Sequence, residues 1–254
     1  MTKLIRLFFI MLSFLSFYSL AQGTLNQWST VSSLVDGQLG VSVSSQKVIS
    51  RNNFGIGYGI GLQPVLLIHK KMFVADQDGY VTPFRGPLTF MNSTNFNQPD
   101  FVFNVRNINS KQLQKMISSK INNPKLIYAI KINGKFRVIR GSSQSRSDLP
   151  FIPASSWMKQ AQHEFKVKHS RSLVLGFRLP ESMRGINIPG YSFQFIDQEQ
   201  IRGGQIKSFF IKKAKVKVQV LNSLSLDLEK LSQPTRPTNR YDNVEHFDHY
   251  VMSY

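Results

Sequence analysis

The chain has 254 residues, with 32 Lys and Arg against 14 Asp and Glu, a formal charge of +18 and no cysteine. The missing thiols exclude a disulfide framework, Cys-ligated zinc and a cysteine nucleophile, so metal or covalent chemistry must draw on histidine, carboxylate or hydroxyl groups. At 41% hydrophobic the chain is too apolar for a disordered basic tail, and its length suits one large domain or two small ones.

Lys3 and Arg6 precede the apolar run Leu7–Leu20, and Ser19 and Ala21 put small residues where signal peptidase cuts. The pattern predicts a signal peptide over residues 1–21, cleaved after Ala21, and an exported protein, periplasmic or secreted. The run is shorter than the roughly 20 residues that span a bilayer, which leaves an uncleaved anchor as the alternative. No other apolar segment of that length follows, so no transmembrane segment is expected after cleavage. A lipobox cysteine is missing as well, which argues against a lipoprotein. The expected division is a leader over 1–21, a folded domain over 22–232 and a polar tail over 233–254.

In chain order, Trp28, Val31, Leu34 and Val35 recur at helical spacing, which predicts a helix from Leu25 to Leu39. Residues 41–50 are polar and read as loop. Gly55-Ile-Gly-Tyr-Gly-Ile-Gly61 places glycine at every second position but does not match GxGxxG. The favoured reading is a strand whose glycine face admits a second backbone, with a phosphate cradle as the alternative. Val65–Ile68 and Lys71–Ala75 read as strands, followed by a turn at residues 76–79 and a short strand at Tyr80 and Val81. Residues 87–105 supply one or two more. Ser110 to Ile121, with Leu113, Met116, Ile117 and Ile121 on one stripe and Ser110 as N-cap, reads as a helix. Asn133-Gly134, between Leu126–Ile132 and Lys135–Arg140, is the strongest hairpin signal in the chain. Residues 142–153 read as loop. Leu173–Phe177, Tyr191–Ile196, Gln205–Ile211 and Val216–Leu221 read as further strands.

One stretch carries a family resemblance. Gly176-Phe-Arg178, Pro180-Glu181, Gly185-Ile-Asn-Ile-Pro-Gly190 and Gly203-Gly204 follow the spacing of the α-acetolactate decarboxylases, which this chain resembles over roughly residues 25–220. Weaker similarity runs through Gln27-Trp-Ser-Thr30, Phe54-Gly55, Asp78-Gly79, Thr82-Pro83-Phe84 and Tyr128–Gly134. The resemblance implies a mixed α/β, sheet-dominated fold and a homodimer. It also implies a zinc-dependent carboxy-lyase converting 2-acetolactate to acetoin and CO2, with the metal on a His-x-His pair and on a third histidine after Gly-Gly. Residues i and i+2 of a strand share a face, so both imidazoles of such a pair reach one ion. The metal would act as a Lewis acid on the enediolate left when CO2 departs.

At those three positions this sequence has Ser192, Gln194 and Gln205. Hydroxyl and carboxamide oxygens are weak zinc ligands beside imidazole, so no zinc cofactor is expected. The family's catalytic threonine, glutamate and arginine fall on Tyr58, Val65 and Ser142, with Arg140 and Arg146 near the last. A one-residue slip would replace Val65 by Pro64. The family's C-terminal glutamate has no secure register here.

The histidines are His69, His163, His169, His246 and His249. His246 and His249, among Asp242, Glu245 and Asp248, form the densest cluster of ligand types and the alternative metal site. A solvated tail is the favoured reading of that segment. His163 and His169 read as surface residues. Lys207, Lys212, Lys213, Lys215 and Lys217 form a basic patch with two readings: contact with an anionic polymer such as lipopolysaccharide, polysaccharide or nucleic acid, or a solvated face that protects a sheet edge.

The expected function is that of an exported decarboxylase-like pseudoenzyme, whose old cavity, lined by Ser192, Gln194 and Gln205 with Arg140 and Arg146 nearby, is vestigial or binds a small polar ligand. The alternatives are an active decarboxylase with a rebuilt metal site and a polyanion-binding protein that uses the lysines.

Overall fold

The computed structural model describes residues 23–148, 152–228 and 247–253. The expected leader cleavage after Ala21 lies outside them. The first part of the chain forms β1 (Thr24–Trp28), β2 (Val43–Ser44), β3 (Phe54–Gly59), β4 (Pro64–Ile68), β5 (Lys71–Ala75), β6 (Val81–Pro83) and β7 (Pro87–Thr94). The second part forms β8 (Phe101–Asn109), β9 (Ile127–Gln144), β10 (Gln162–Lys168), β11 (Arg171–Leu179), β12 (Gly190–Asp197) and β13 (Gly203–Leu221). A last strand, β14 (Ser223–Asp227), returns to pair with β1.

The first sheet runs β14-β1-β7-β3-β4-β5-β6, with β2 against β7; the second runs β10-β9-β11-β12-β13-β8. Because β13 also pairs with β9, the strands β9, β11, β12 and β13 close on one another. The helices α1 (Val31–Val35), α2 (Ser45–Arg51), α3 (Ser110–Lys120) and α4 (Ala154–Ala161) fill the flanks. Among the described residues, no helix is long and apolar enough to cross a membrane.

Strand alternation decides what each face buries. Phe54, Ile56 and Leu66 from the first sheet pack on Leu175, Phe177 and Leu221 from the second. The opposite face of the second sheet buries Ile130, Ile132, Phe193 and Val216 with Leu113 and Ile117 of α3.

Several local expectations change. Leu25 to Trp28 is a strand, and the helix begins only at Val31, after Thr30 Oγ1 accepts from the Ser33 amide at 3.1 Å. The sheet offers residues 24–28 two pairing partners, which overrides the helical spacing. Residues 45–51, read as loop, form α2 with Ser44 as N-cap; only Ser45 and Val48 are buried, so no apolar period marks the helix. The N-cap of α3 is Asn109 rather than Ser110, in a capping box with Gln112. Asn133-Gly134 is not a turn. Both residues lie in the middle of β9, paired with Leu173 and Ser172 on one side and with Lys215 and Ala214 on the other. The loop expected from residue 142 begins later, because β9 continues to Gln144.

The described part of the expected tail, residues 247–253, is not a solvated segment. Residues 247–251 are helical and bury Phe247 and Val251 against Leu34, Tyr58 and Ile188. Two apolar residues spaced four apart suffice for one docked helical turn, a signal that the surrounding charges hide.

Candidate functional site

The cavity floor comes from β12 and β13. Gln194 and Gln205 stand opposite each other in register, and Ser142 of β9 stands opposite Gln205 on its other side. These positions therefore share the face that looks toward the first sheet. Gln194 Nε2 donates to the Gly57 carbonyl at 3.1 Å and to Gln205 Oε1 at 3.5 Å. The Tyr58 hydroxyl donates to the same Gln205 oxygen at 3.4 Å. Full burial raises the Tyr58 pKa, so the phenol stays protonated. Gly57 admits the strand on its other side, since a Cβ there would lie 2.3 Å from the Phe90 carbonyl oxygen of β7.

The walls are polar on one side. Asn187 Nδ2 donates to Gln27 Oε1 and to Asn92 Oδ1, both at 2.8 Å, and Asn187 Oδ1 accepts from the Ile188 amide at 2.8 Å. On the other side the C-terminal segment closes the space. Phe247 and Val251 line the cavity beside Ser192, Gln194 and Gln205, and Gln205 Nε2 donates to the Val251 carbonyl. Ser253 adds two anchors, its amide to the Tyr191 carbonyl at 3.0 Å and its hydroxyl to the Ile206 carbonyl at 2.7 Å. The remaining cavity is about 20 Å³, room for a water or so. Gln194 Oε1, buried with no partner among the described residues, is the atom such a water would serve.

The sequence profile of the alpha-acetolactate decarboxylase family matches residues 25–234. The chain belongs to the alpha-acetolactate decarboxylase family. Relatives named alpha-acetolactate decarboxylase include one from Methanosarcina mazei, 24% identical over 211 residues, which covers 82% of this chain and 73% of the relative. Another, from Bacillus subtilis (strain 168), is 26% identical over 205 residues and covers 80% of each. Among solved structures, the Bacillus subtilis alpha-acetolactate decarboxylase superposes with a TM-score of 0.82 at 23% identity, covering 89% of this chain and 99% of that one. A Staphylococcus aureus protein of unknown function, described as similar to alpha-acetolactate decarboxylase, gives a TM-score of 0.84 at 19% identity, again over 89% and 99%. The sheet-dominated α/β fold expected from the resemblance is the fold of these structures.

Within this family fold, the other expected positions divide. Val65 does not face the cavity: it pairs with Gly57 and packs on the opposite face of the first sheet with Trp28, Leu67 and Met91. Pro64, opposite Tyr58, holds the inward position. The Ser142 side chain is buried and its hydroxyl has no partner among the described residues. Arg140 and Arg146 are exposed and stand outside the cavity lining, Arg146 lying 4.0 Å from Asp148. Arg140, two residues before Ser142 on β9, is on the same face but farther along the strand, where it is exposed.

His246 lies outside the described residues. His249 is exposed on the last helical turn, and no group of three or more His, Asp and Glu side chains suited to a metal gathers among the described residues. His163 and His169 are exposed.

The lysines separate too. Lys207 leaves the patch: half-buried, its Nζ donates to the His249 and Tyr250 carbonyls at 3.2 and 2.7 Å. Burial pushes its pKa down to about 8. Lys212 sits at a register break, whereas Lys213, Lys215 and Lys217 follow on one face. Sequence reasoning missed the closing role of Phe247, Val251 and Ser253. It also missed His69, which lines a second, larger cavity.

Proposed function

We propose that this chain is an exported member of the alpha-acetolactate decarboxylase family that does not carry out the decarboxylation. The observation behind this reading is the floor of the cavity, where both amides of Gln194 and Gln205 are committed to internal hydrogen bonds and Phe247 and Val251 fill the space above them. Zinc, the metal that the resemblance implies, is a poor match for a hydroxyl and two carboxamides. Gln205 Oε1 would have to abandon the Tyr58 hydroxyl and Gln194 Nε2, and no imidazole or carboxylate belongs to the lining among the described residues. The residues present do not fit that group.

A five-carbon hydroxy acid is also far larger than one or two waters, so substrate or any small polar ligand enters only if residues 247–253 move away. The export half of the reading rests on the signal-like pattern of residues 1–21.

Elemental analysis of the purified protein, beside an acetoin assay on 2-acetolactate, tests the proposal. The expected result is no stoichiometric zinc and no acetoin. About one tightly held zinc per chain with chelator-sensitive acetoin formation overturns it.

A further inference from the structure

The second sheet is covered by the first over only part of one face. Ile127 and Ala129 of β9, Leu175 of β11 and Leu221 of β13 lie under that cover. Farther along the same face the strands carry Lys131, Asn133 and Lys135 on β9, Lys213, Lys215 and Lys217 on β13, Arg106 on β8 and Arg171 on β11. The register aligns them. Arg106 pairs with Lys213, Lys213 with Lys135 and Lys135 with Arg171, one row of four cations across four adjacent strands. Lys217 pairs with Lys131, and Lys215, between these two rows, pairs with Asn104 and Asn133.

Like charges placed directly opposite each other on a sheet destabilise it. None of the seven cations, Lys131, Lys135, Lys213, Lys215, Lys217, Arg106 and Arg171, has a carboxylate within 4.0 Å among the described residues. Protection of an edge does not account for the array, because β13 has β8 on one side and β9 on the other.

The array runs into a cavity of about 480 Å³ lined by His69, Lys71, Asn133 and Arg171. Its rim is the two-residue turn between β4 and β5, where His69 and Lys70 both have positive φ, 47° and 63°. Such turns ordinarily take Asn-Gly, and side chains other than Gly, Asn or Asp are costly there. His69 Nε2 lies 3.1 Å from Lys131 Nζ, so the cavity and the sheet array are continuous. The Lys131 pKa is lowered mainly by burial and further by Lys217, and the His69 pKa mainly by burial and further by Lys131, so neighbouring cations add to the cost of burial at both groups. Asp197 also lines the cavity, but its Oδ1 accepts from the Ile201 amide at 2.8 Å.

We propose that this face and its cavity bind a linear anionic polysaccharide bearing sulfate or phosphate groups. Cations about 4.8 Å apart across strands and about 6.8 Å apart along them form a grid for successive anionic groups. Asn104 and Asn133, interleaved among the lysines, offer amides to sugar hydroxyls. No aromatic side chain stands at these register positions, so the stacking platform on which single-stranded nucleic acid relies is missing. This inference is independent of whether the smaller cavity is catalytic.

The test compares the full chain with the fourfold variant Lys131→Gln/Lys135→Gln/Lys213→Gln/Lys217→Gln and with a control that removes the same charge elsewhere, Arg51→Gln/Lys111→Gln/Lys115→Gln/Lys125→Gln. Affinities for heparin and for a phosphorylated dextran are measured over a range of salt. The face variant is expected to lose at least about tenfold in affinity and to flatten the salt dependence, and the control to lose less than about threefold. Equal losses overturn the proposal, as does a single-stranded oligonucleotide of matched charge that binds more tightly than either polysaccharide. The tighter of the two polysaccharides identifies the anionic group. If the fourfold variant does not fold, lysine acetylation of the unmodified protein gives the answer. Heparin must then shield Lys135 and Lys213 but not Lys111 and Lys125, and uniform shielding rejects the site.

Discussion

Gln205 donates from its carboxamide to the backbone carbonyl of Val251, and this bond ties the cavity floor to the last helical turn of the chain. The same side chain accepts from Tyr58 and from Gln194, so it holds three segments far apart in sequence. Gln205→Ala leaves the Val251 carbonyl and the Tyr58 hydroxyl buried without a partner. A loss of about 1–3 kcal/mol in urea denaturation is expected. A change near zero would mean that neither bond persists in solution.

Phe247 is fully buried although it belongs to the last few residues of the chain. Phe247→Ala should cost about 3 kcal/mol of docking free energy. Because the segment can open on its own, the loss is read by hydrogen exchange at the amides of residues 251–253. Their protection should collapse while that of β9 and β13 is kept. Unchanged exchange would show that Phe247 does not anchor the segment.

How much of this was legible in the sequence depends on how local each signal was. Glycines at alternate positions correctly announced a strand against a close neighbour, because Gly57 has that neighbour 2.3 Å from where its Cβ would be. The placement of Gln194 beside Gln205 followed from strand alternation once both lay next to the Gly203-Gly204 frame. Local signals failed where tertiary pairing reassigns a residue. Asn133-Gly134 is turn chemistry on any short window, yet β11 and β13 flank it on both sides and hold it extended. Val65 was placed by register alone, and one position decides which face a strand residue meets. The closure by Phe247 and the cation row from Arg106 to Arg171 join residues too distant for any motif to record.

Gly134 supplies a direct test of that pairing. A Cβ at this position would stand 2.4 Å from both the Lys213 carbonyl oxygen and the Ala214 Cβ. Gly134→Ala should therefore destabilise the protein by about 2 kcal/mol or more, since backbone of a central strand must shift. Adding Ala214→Gly removes the Cβ clash but not those with the Lys213 carbonyl oxygen and the Cα of residue 214, so the double variant should recover only part of the loss. A Gly134→Ala protein with unchanged denaturation midpoint would restore the hairpin reading of Asn133-Gly134.

Lys207 gives the last prediction, in pH. In the folded protein its ammonium is half-buried, and burial lowers its pKa from 10.5 to about 8, against a smaller opposing pull from Glu164. The folded protein thus releases this proton near pH 8, whereas the unfolded chain keeps it until about 10.5. Between those values the unfolded state binds more protons, so raising the pH favours the fold. The cost of burying the charge is fully present below pH 8 and is relieved as the pH climbs toward 10.5. The neutral amine still donates to the His249 and Tyr250 carbonyls, so the segment keeps its tether throughout. Lys207→Met has no such titration, while every other lysine is common to both proteins. The unfolding free energy of the unmodified protein, measured relative to that variant by urea denaturation, should therefore rise across this interval. A difference that stays flat, or falls, would place the Lys207 amine in water rather than beneath the last helical turn.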